Sequence, residues 1–189
     1  MSHVHLNIGD KLRSAYKLLK DNNIDFPLDT SKPIPFPVLE ENYFEHHDTL
    51  IDIALVLLPQ YGNYNFKYIG EDFIGDDTLI SEGTEIYFLG YPIGLTGYEL
   101  TTPIIKRGII AGIKNKTDFY LDANAYGGNS GSPVLVESNQ VNKGNGHKLI
   151  GIISSGYGEK LNLDIVIAIK VNKIIEALNE AVNKLNNRK

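Results

Sequence analysis

Gly127-Gly128-Asn129-Ser130-Gly131-Ser132-Pro133-Val134 places one hydroxyl nucleophile in a run of small residues, with apolar, strand-like residues directly after it. Glycines on both sides allow positive φ and let a substrate carbonyl come close to the backbone. They also leave backbone N–H groups free to point at a negative oxygen. Acyl transfer needs both: a serine oxygen that attacks, and donors for the oxyanion that forms. The same composition also marks an ordinary Gly/Asn/Ser turn between strands, so the loop alone leaves two readings open.

Downstream of the loop lie strand candidates at 132–137, 148–154 and 164–170, and upstream at 84–89, 104–113 and 118–122. Turn residues separate these six runs, a spacing that predicts an antiparallel barrel or sandwich. The chain closes on a predicted helix over 171–187. Val171, Ile174, Ile175, Leu178, Val182 and Leu185 share one face at helical period, a stripe expected to pack on the core. Upstream, Asp52–Leu58 is a nearly continuous apolar run ended by Pro59, which predicts a strand buried on both faces. Residues 60–83 read as a long surface linker, whose Tyr61, Tyr64, Phe66 and Tyr68 are expected to cover the core. Before them come an alternating strand at 4–8, a short amphipathic helix over 10–22 and a proline-rich connection over 27–37.

Composition narrows the function classes. The 189 residues suit one large domain or two small lobes, and 42% hydrophobic against 22% charged predicts a packed core. A formal net charge of −5 without a basic block gives no nucleic-acid footprint. No apolar run approaches the ~18–20 residues of a membrane span. The absence of cysteine excludes a thiol nucleophile, a disulfide framework and cysteine-ligated zinc. No signal-peptide pattern opens the sequence, so the cytoplasm is the default compartment, although cysteine usage does not settle it.

Three further features join the serine loop. Asp52 opens an apolar strand run, which sets its carboxylate at the mouth of a β lobe; most aspartates there are turn or cap residues. Leu149-Ile150-Gly151-Ile152-Ile153-Ser154-Ser155-Gly156 runs from a strand into a glycine-bearing edge. Phe88-Leu89-Gly90-Tyr91-Pro92 precedes Lys106-Arg107-Gly108-Ile109. With these residues the chain resembles the trypsin-like (chymotrypsin-fold) serine peptidases, in particular bacterial members that lack disulfides. The resemblance covers residues 50–187 well and 1–49 poorly. It implies an all-β fold of two antiparallel β-barrel lobes, the first incomplete, with a C-terminal α-helix. The whole of 1–189 is then one peptidase domain: a partial N-terminal lobe at 1–70, a barrel at 71–170 and the helix at 171–187.

The family's roles carry over by resemblance. Ser130 is the nucleophile, and Asp52 orients a histidine and stabilises its charged form. The N–H groups of Gly128 and Ser130 form the oxyanion hole. Ser154 stands beside Asp52 as a hydrogen-bond partner, and Gly156 leaves room for a substrate chain along the cleft. Asn124, six residues before the nucleophile, lies at the base of the pocket for the residue preceding the cut, with Tyr126 and Val166 lining it. Its neutrality gives no support for a lysine or arginine preference. The implied activity is hydrolysis of peptide bonds through an acyl-enzyme, with a peptide or protein as partner and neither metal nor cofactor. The alternative is an inactive or truncated homologue that binds peptides.

The base is the missing part. The family order is His, Asp, Ser, with the histidine a few tens of residues before the aspartate. His147 follows Ser130, and His46 and His47 lie only six and five residues before Asp52. His3 is far enough back, and His3-Val4 matches a pair common in bacterial relatives. His5 fits better in the strand after the histidine loop. The first lobe shows only about three strand candidates (4–8, 34–39 and 51–58), too few to close a barrel of that size. Three alternatives stand: a chain that begins partway into the first barrel, His3 as base, or a rearranged base.

Overall fold

Alternation of apolar and polar residues decides which face of each strand turns inward, and β3 shows it most simply. In Glu85–Gly90, Ile86 and Phe88 point inward with no exposed surface, while Glu85, Tyr87 and Leu89 turn outward. The computed structural model describes residues 42–57, 70–91, 103–138, 146–156 and 164–187. The described strands are β1 (Tyr43–Glu45), β2 (Ala54–Val56), β3, β4 (Ile104–Ile113), β5 (Asp118–Asp122), β6 (Pro133–Ser138), β7 (Gly146–Gly156) and β8 (Ile165–Lys170). Helix α1 (Val171–Asn186) follows β8 without a break.

Strands β3 to β8 close into one antiparallel barrel in the order β3-β4-β5-β8-β7-β6. Closure leaves none of these six strands as a free edge. The expected six-strand set is therefore present, with boundaries displaced by no more than two residues. The interior is filled by Ile86, Phe88, Ile110, Phe119, Leu121, Val134, Val136, Ile150, Ile153, Val166 and Ala168. Phe119 has no exposed surface and is, with Phe88, the bulkiest side chain of this cluster. Its replacement by alanine is expected to destabilise the fold by about 3–5 kcal/mol, read as a lower denaturation midpoint.

Strands β1 and β2 form a separate antiparallel pair, with Phe44 opposite Leu55. Ile51 and Ile53 anchor this hairpin on Ile152 of β7, Ile169 of β8 and Ala177 of α1. The chain is thus mostly β, with one six-stranded barrel and a single helix at its C-terminal side among the described residues. No helix among them is long and apolar enough to cross a membrane.

Several expectations change. The run from Asp52 does not make a long strand buried on both faces. Only Ala54–Val56 is strand, Leu55 and Val56 are half-buried, and Leu57 is 45% exposed, because the strand pairs only with the three-residue β1 and its burial fades past Ala54. The helix buries Val171, Ala177 and Ala181, whereas Ile175, Leu178 and Val182 are exposed. Its docked face is rotated toward the alanines because small side chains let it approach the sheet closely. Residues 70–83 are no surface linker. Two 3-10 turns, Glu71–Phe73 and Asp77–Leu79, hold them against the barrel. Gly75 N–H donates to the Leu149 carbonyl (2.8 Å), Lys148 Nζ reaches the Asp72 carbonyl, and Lys170 Nζ pairs with Asp77 (3.3 Å). The elements expected at 4–8, 10–22, 27–37 and 34–39, and the aromatics at 61–68, lie outside the described residues.

Candidate active site

The serine loop leaves β5 after Asp122 and enters β6 at Pro133. Two short turns shape it: Asn129 N–H donates to the Tyr126 carbonyl (3.0 Å), and Ser132 N–H to the Asn129 carbonyl (2.9 Å). Gly128 stands at φ +94° and Gly131 at φ +83°, conformations that a Cβ would strain, so the glycines flanking Ser130 are demanded by the turn itself. Downstream of Ser130 the loop is stitched to β7, with Gly131 N–H on the Ile153 carbonyl (2.7 Å) and Ile153 N–H on the Ser132 carbonyl (2.9 Å). Upstream, the N–H groups of Gly128 and Ser130 donate to no described residue. They are the only two donors of the Gly128–Ser132 segment left in that condition, since Asn129, Gly131 and Ser132 all have carbonyl partners.

Ser130 is half-buried, and its Oγ donates to the Ser154 carbonyl at 3.1 Å. Ser154 is buried and sits where β7 shifts register against β8, between Ile153 and Ser155. Such a bulge bends a strand and re-aims its groups, and here it coincides with the carbonyl that meets the serine. Gly156, exposed, ends β7 opposite Val166. Asp52 lies between Ile51 and Ile53, the two side chains that dock the hairpin on Ile152. Asp52 and Ser130 are therefore carried by segments that both touch β7 within Ile152–Ser154. The charge of Asp52 is felt by Tyr43, whose hydroxyl is pushed above its ordinary range chiefly by burial. Its hydrogen bond to Glu45 (3.0 Å) adds to the rise, and Asp52 adds less.

None of the described histidines contacts Ser130. His147 faces Glu137 near the far end of β6 and meets Tyr87 edge-to-face at 5.6 Å. Four residues of strand, roughly 13 Å, separate Glu137 from Pro133 beside the serine loop. His46 and His47 stack on each other (4.7 Å) in the β1–β2 turn and face Glu176 and Glu180 of α1. His3 and His5 lie outside the described residues.

Asn124 follows β5. With its amide nitrogen turned to Asp164 it donates to both carboxylate oxygens (3.1 and 3.2 Å), and its backbone carbonyl accepts from Lys106 Nζ (2.7 Å). Burial holds Lys106 below the usual lysine range, and its ammonium sits 4.2 Å from the centre of the Tyr126 ring. Asn124 borders an open concavity of about 510 Å³ together with Glu85, Arg107, Asp122 and Asp164. Ser130, Ser154 and Gly156 do not line it. Tyr126 is exposed, whereas Val166 points into the barrel core, so its side chain is committed to packing rather than to a pocket wall.

A residue that sequence reasoning passed over is Gly90. The side chain of Asn129, between Gly128 and Ser130, is 1% exposed, and neither amide atom has a partner among the described residues. It lies directly over Gly90, where a Cβ would come within 2.3 Å of Asn129 Oδ1 and 2.6 Å of Ser132 Oγ. In sequence, Gly90 counts only as part of the Phe88–Pro92 stretch that carries the family resemblance. Gly90→Ala is expected to push Asn129 out of place, costing about 1–3 kcal/mol of stability. It should also slow any chemistry at Ser130 more than Gly127→Ala, where a Cβ meets open space. Paired melting curves and serine-labelling rates measure both.

Comparison with known proteins bears on the same residues. The family described as "Trypsin-like peptidase domain" matches residues 27–142, a span that includes Asp52 and Ser130. No curated protein matches the chain. Among solved structures, the inactive form of Rv3671c from M. tuberculosis, a serine-to-alanine mutant, is similar at 12% identity and TM-score 0.41 over 59% of this chain. A serine-to-alanine variant of the HtrA-type protease AlgW with a decapeptide is similar at 21% identity and TM-score 0.46 over 69% of this chain. The matched regions are 53% and 36% of those two chains, so this chain spans about half of one and about a third of the other.

Proposed function

The chain belongs to the trypsin-like peptidase domain family, and on that premise we propose that it is a serine endopeptidase acting through an acyl-enzyme on Ser130. The observation that carries this reading is the serine loop: a hydroxyl on a glycine-flanked turn, with Gly128 and Ser130 N–H groups that have no acceptor among the described residues. A carbonyl oxygen placed between those two donors is polarised, and the oxyanion formed on attack strengthens both bonds. Ser130 Oγ–H first leaves the Ser154 carbonyl that holds it at rest. Its proton then passes to a base as Oγ attacks, and returns to the leaving amine when the peptide bond breaks. Water repeats the sequence on the acyl-enzyme and releases the acid. Asp52 orients and stabilises that base. Ser154 and Gly156, at the end of β7 that runs beyond its pairing with β6, receive the substrate chain, and Asn124 with Asp164 contributes a polar, acidic margin to its binding.

His3 is the histidine to test as base, because it precedes Asp52 in family order while His46, His47 and His147 are engaged elsewhere. The experiment is labelling of the full chain with a fluorophosphonate, followed by mapping of the adduct. Labelling on Ser130 that depends on His3 supports an enzyme with His3 as base. Labelling on Ser130 that survives His3→Ala places the base elsewhere. A folded chain that takes no label overturns the enzyme. It would favour a peptide-binding homologue, the reading suited to a serine whose hydroxyl rests on a carbonyl rather than on a base.

A further inference from the structure

His46 and His47 occupy the turn between β1 and β2, and Glu176 and Glu180 stand one turn apart on α1. The potential ligand atoms of these four side chains all lie within 4.8 Å of one another. The His46 side chain has no exposed surface, and its Nδ1 accepts from Asp48 N–H (3.1 Å). The ring proton therefore sits on Nε2, which is buried without a hydrogen-bond partner among the described residues and points at Glu176 Oε1 from 3.9 Å, beyond bonding reach. Buried polar groups are seldom left in that condition. His47 Nδ1 contacts Glu180 Oε1, and its backbone N–H donates to Glu180 Oε2 (3.3 Å).

We propose that His46 Nε2, His47 Nδ1 and one carboxylate oxygen each from Glu176 and Glu180 form a binding site for Zn2+ that clamps the β1–β2 hairpin to helix α1. Two imidazole nitrogens and two carboxylate oxygens are a four-coordinate donor set suited to zinc, while Ca2+ and Mg2+ prefer oxygen throughout. Zinc bonds of about 2.0–2.2 Å set tetrahedral ligand atoms roughly 3.3 Å apart. The four atoms all lie within 4.8 Å of one another, so the two half-buried glutamates must rotate inward to reach that spacing. The two carboxylates balance the charge of the ion.

Lys173 pairs with Glu176 Oε2 and leaves Oε1 for the metal. Binding moves the His46 proton from Nε2 to Nδ1 through solvent and releases Asp48 N–H to water at a half-exposed position. Two local hydrogen bonds are lost, Asp48 N–H to His46 Nδ1 and His47 Nδ1–H to Glu180, and four ligand bonds form. His47, 58% exposed at its side chain, gives up the Nδ1 proton that it shares with Glu180 and carries its remaining proton on the other ring nitrogen. The clamp holds the hairpin that carries Asp52, yet nothing in its argument depends on the peptidase reading.

The test is calorimetric titration of the chelator-treated full chain with Zn2+, alongside His47→Ala and Glu180→Gln, both at partly exposed positions. The wild type is expected to bind one equivalent, and to melt about 5 °C higher when zinc is near a hundredfold above Kd. Co2+ in its place should give the visible absorption of a tetrahedral site. Each variant should lose at least tenfold in affinity. No stoichiometric binding by the folded wild type, or unchanged binding in both variants, overturns the proposal. Because the readout is metal binding, failure of serine labelling leaves it standing, and the reverse also holds.

Discussion

Ser130→Ala is expected to abolish fluorophosphonate labelling of the chain and to lower peptide turnover by about 10⁶ where the wild type shows turnover. That factor is the loss seen when subtilisin, an unrelated fold with the same chemistry, is stripped of its nucleophile. At 1.36 kcal/mol per tenfold it is roughly 8 kcal/mol of barrier, far above what the fold itself registers for this change. Ser130 is half-buried and makes one side-chain hydrogen bond, to a carbonyl. Deleting that oxygen removes a net contribution of about 0.5–1.5 kcal/mol at most. The melting temperature should therefore move by only a few degrees while labelling disappears. Residual turnover above background, supplied by the donors of Gly128 and Ser130, would be consistent with the proposal. An alanine variant that still labels elsewhere at the wild-type rate would sink it.

The second large effect is expected at Asp52. Asp52→Asn keeps the size of the side chain and removes its charge. In the family template the same exchange costs about 10⁴ in kcat, because the amide holds the imidazole in the wrong tautomer. The hairpin should remain docked, since Ile51 and Ile53 on either side supply its apolar contacts. The diagnostic is thus a fall in kcat with an unchanged melting curve. Tyr43 offers an internal check. Its hydroxyl is held above the ordinary range first by burial, then by Glu45, and to a lesser degree by Asp52. Loss of the Asp52 charge should lower its titration midpoint, visible by ultraviolet absorbance. Activity unaffected by Asp52→Asn would remove Asp52 from the mechanism and leave the nucleophile loop to be explained alone.

The barrel was readable because each strand is short, alternates on the pleat and ends at turn residues. Residues 118–122 and 104–113 could be bounded to the residue, since Asn115–Thr117 and the Ala123–Gly128 loop punctuate them. Helix α1 was legible in extent but not in orientation. Periodicity placed Ile175, Leu178 and Val182 inward, whereas close approach to the sheet favoured Ala177 and Ala181, and the distance between two packed elements is absent from any one-dimensional pattern. The run from Asp52 misled for a related reason. Hydrophobicity alone does not say whether a strand has neighbours on one face or two, and β1, its three-residue partner, gave no signal of its own. At the site, the serine loop announced itself through small residues in sequence. The space over Gly90 and the meeting of His46 and His47 with Glu176 and Glu180 arise only when distant segments pack together.

The stitching of the serine loop has a mechanical consequence. On the C-terminal side of Ser130 two backbone bonds tie Gly131 and Ser132 to β7, a strand closed into the barrel, whereas on the N-terminal side the peptide of Gly128 hangs only on the turn from Tyr126. The loop is built as a cantilever, tied to the barrel by backbone bonds just past the Ser130 hydroxyl and held before it only by its own turn and the buried Asn129 side chain. On the proposal that Ser130 attacks and Gly128 N–H receives the oxyanion, adjustment to differently shaped ligands would fall on Gly128 while the line of attack stays constant.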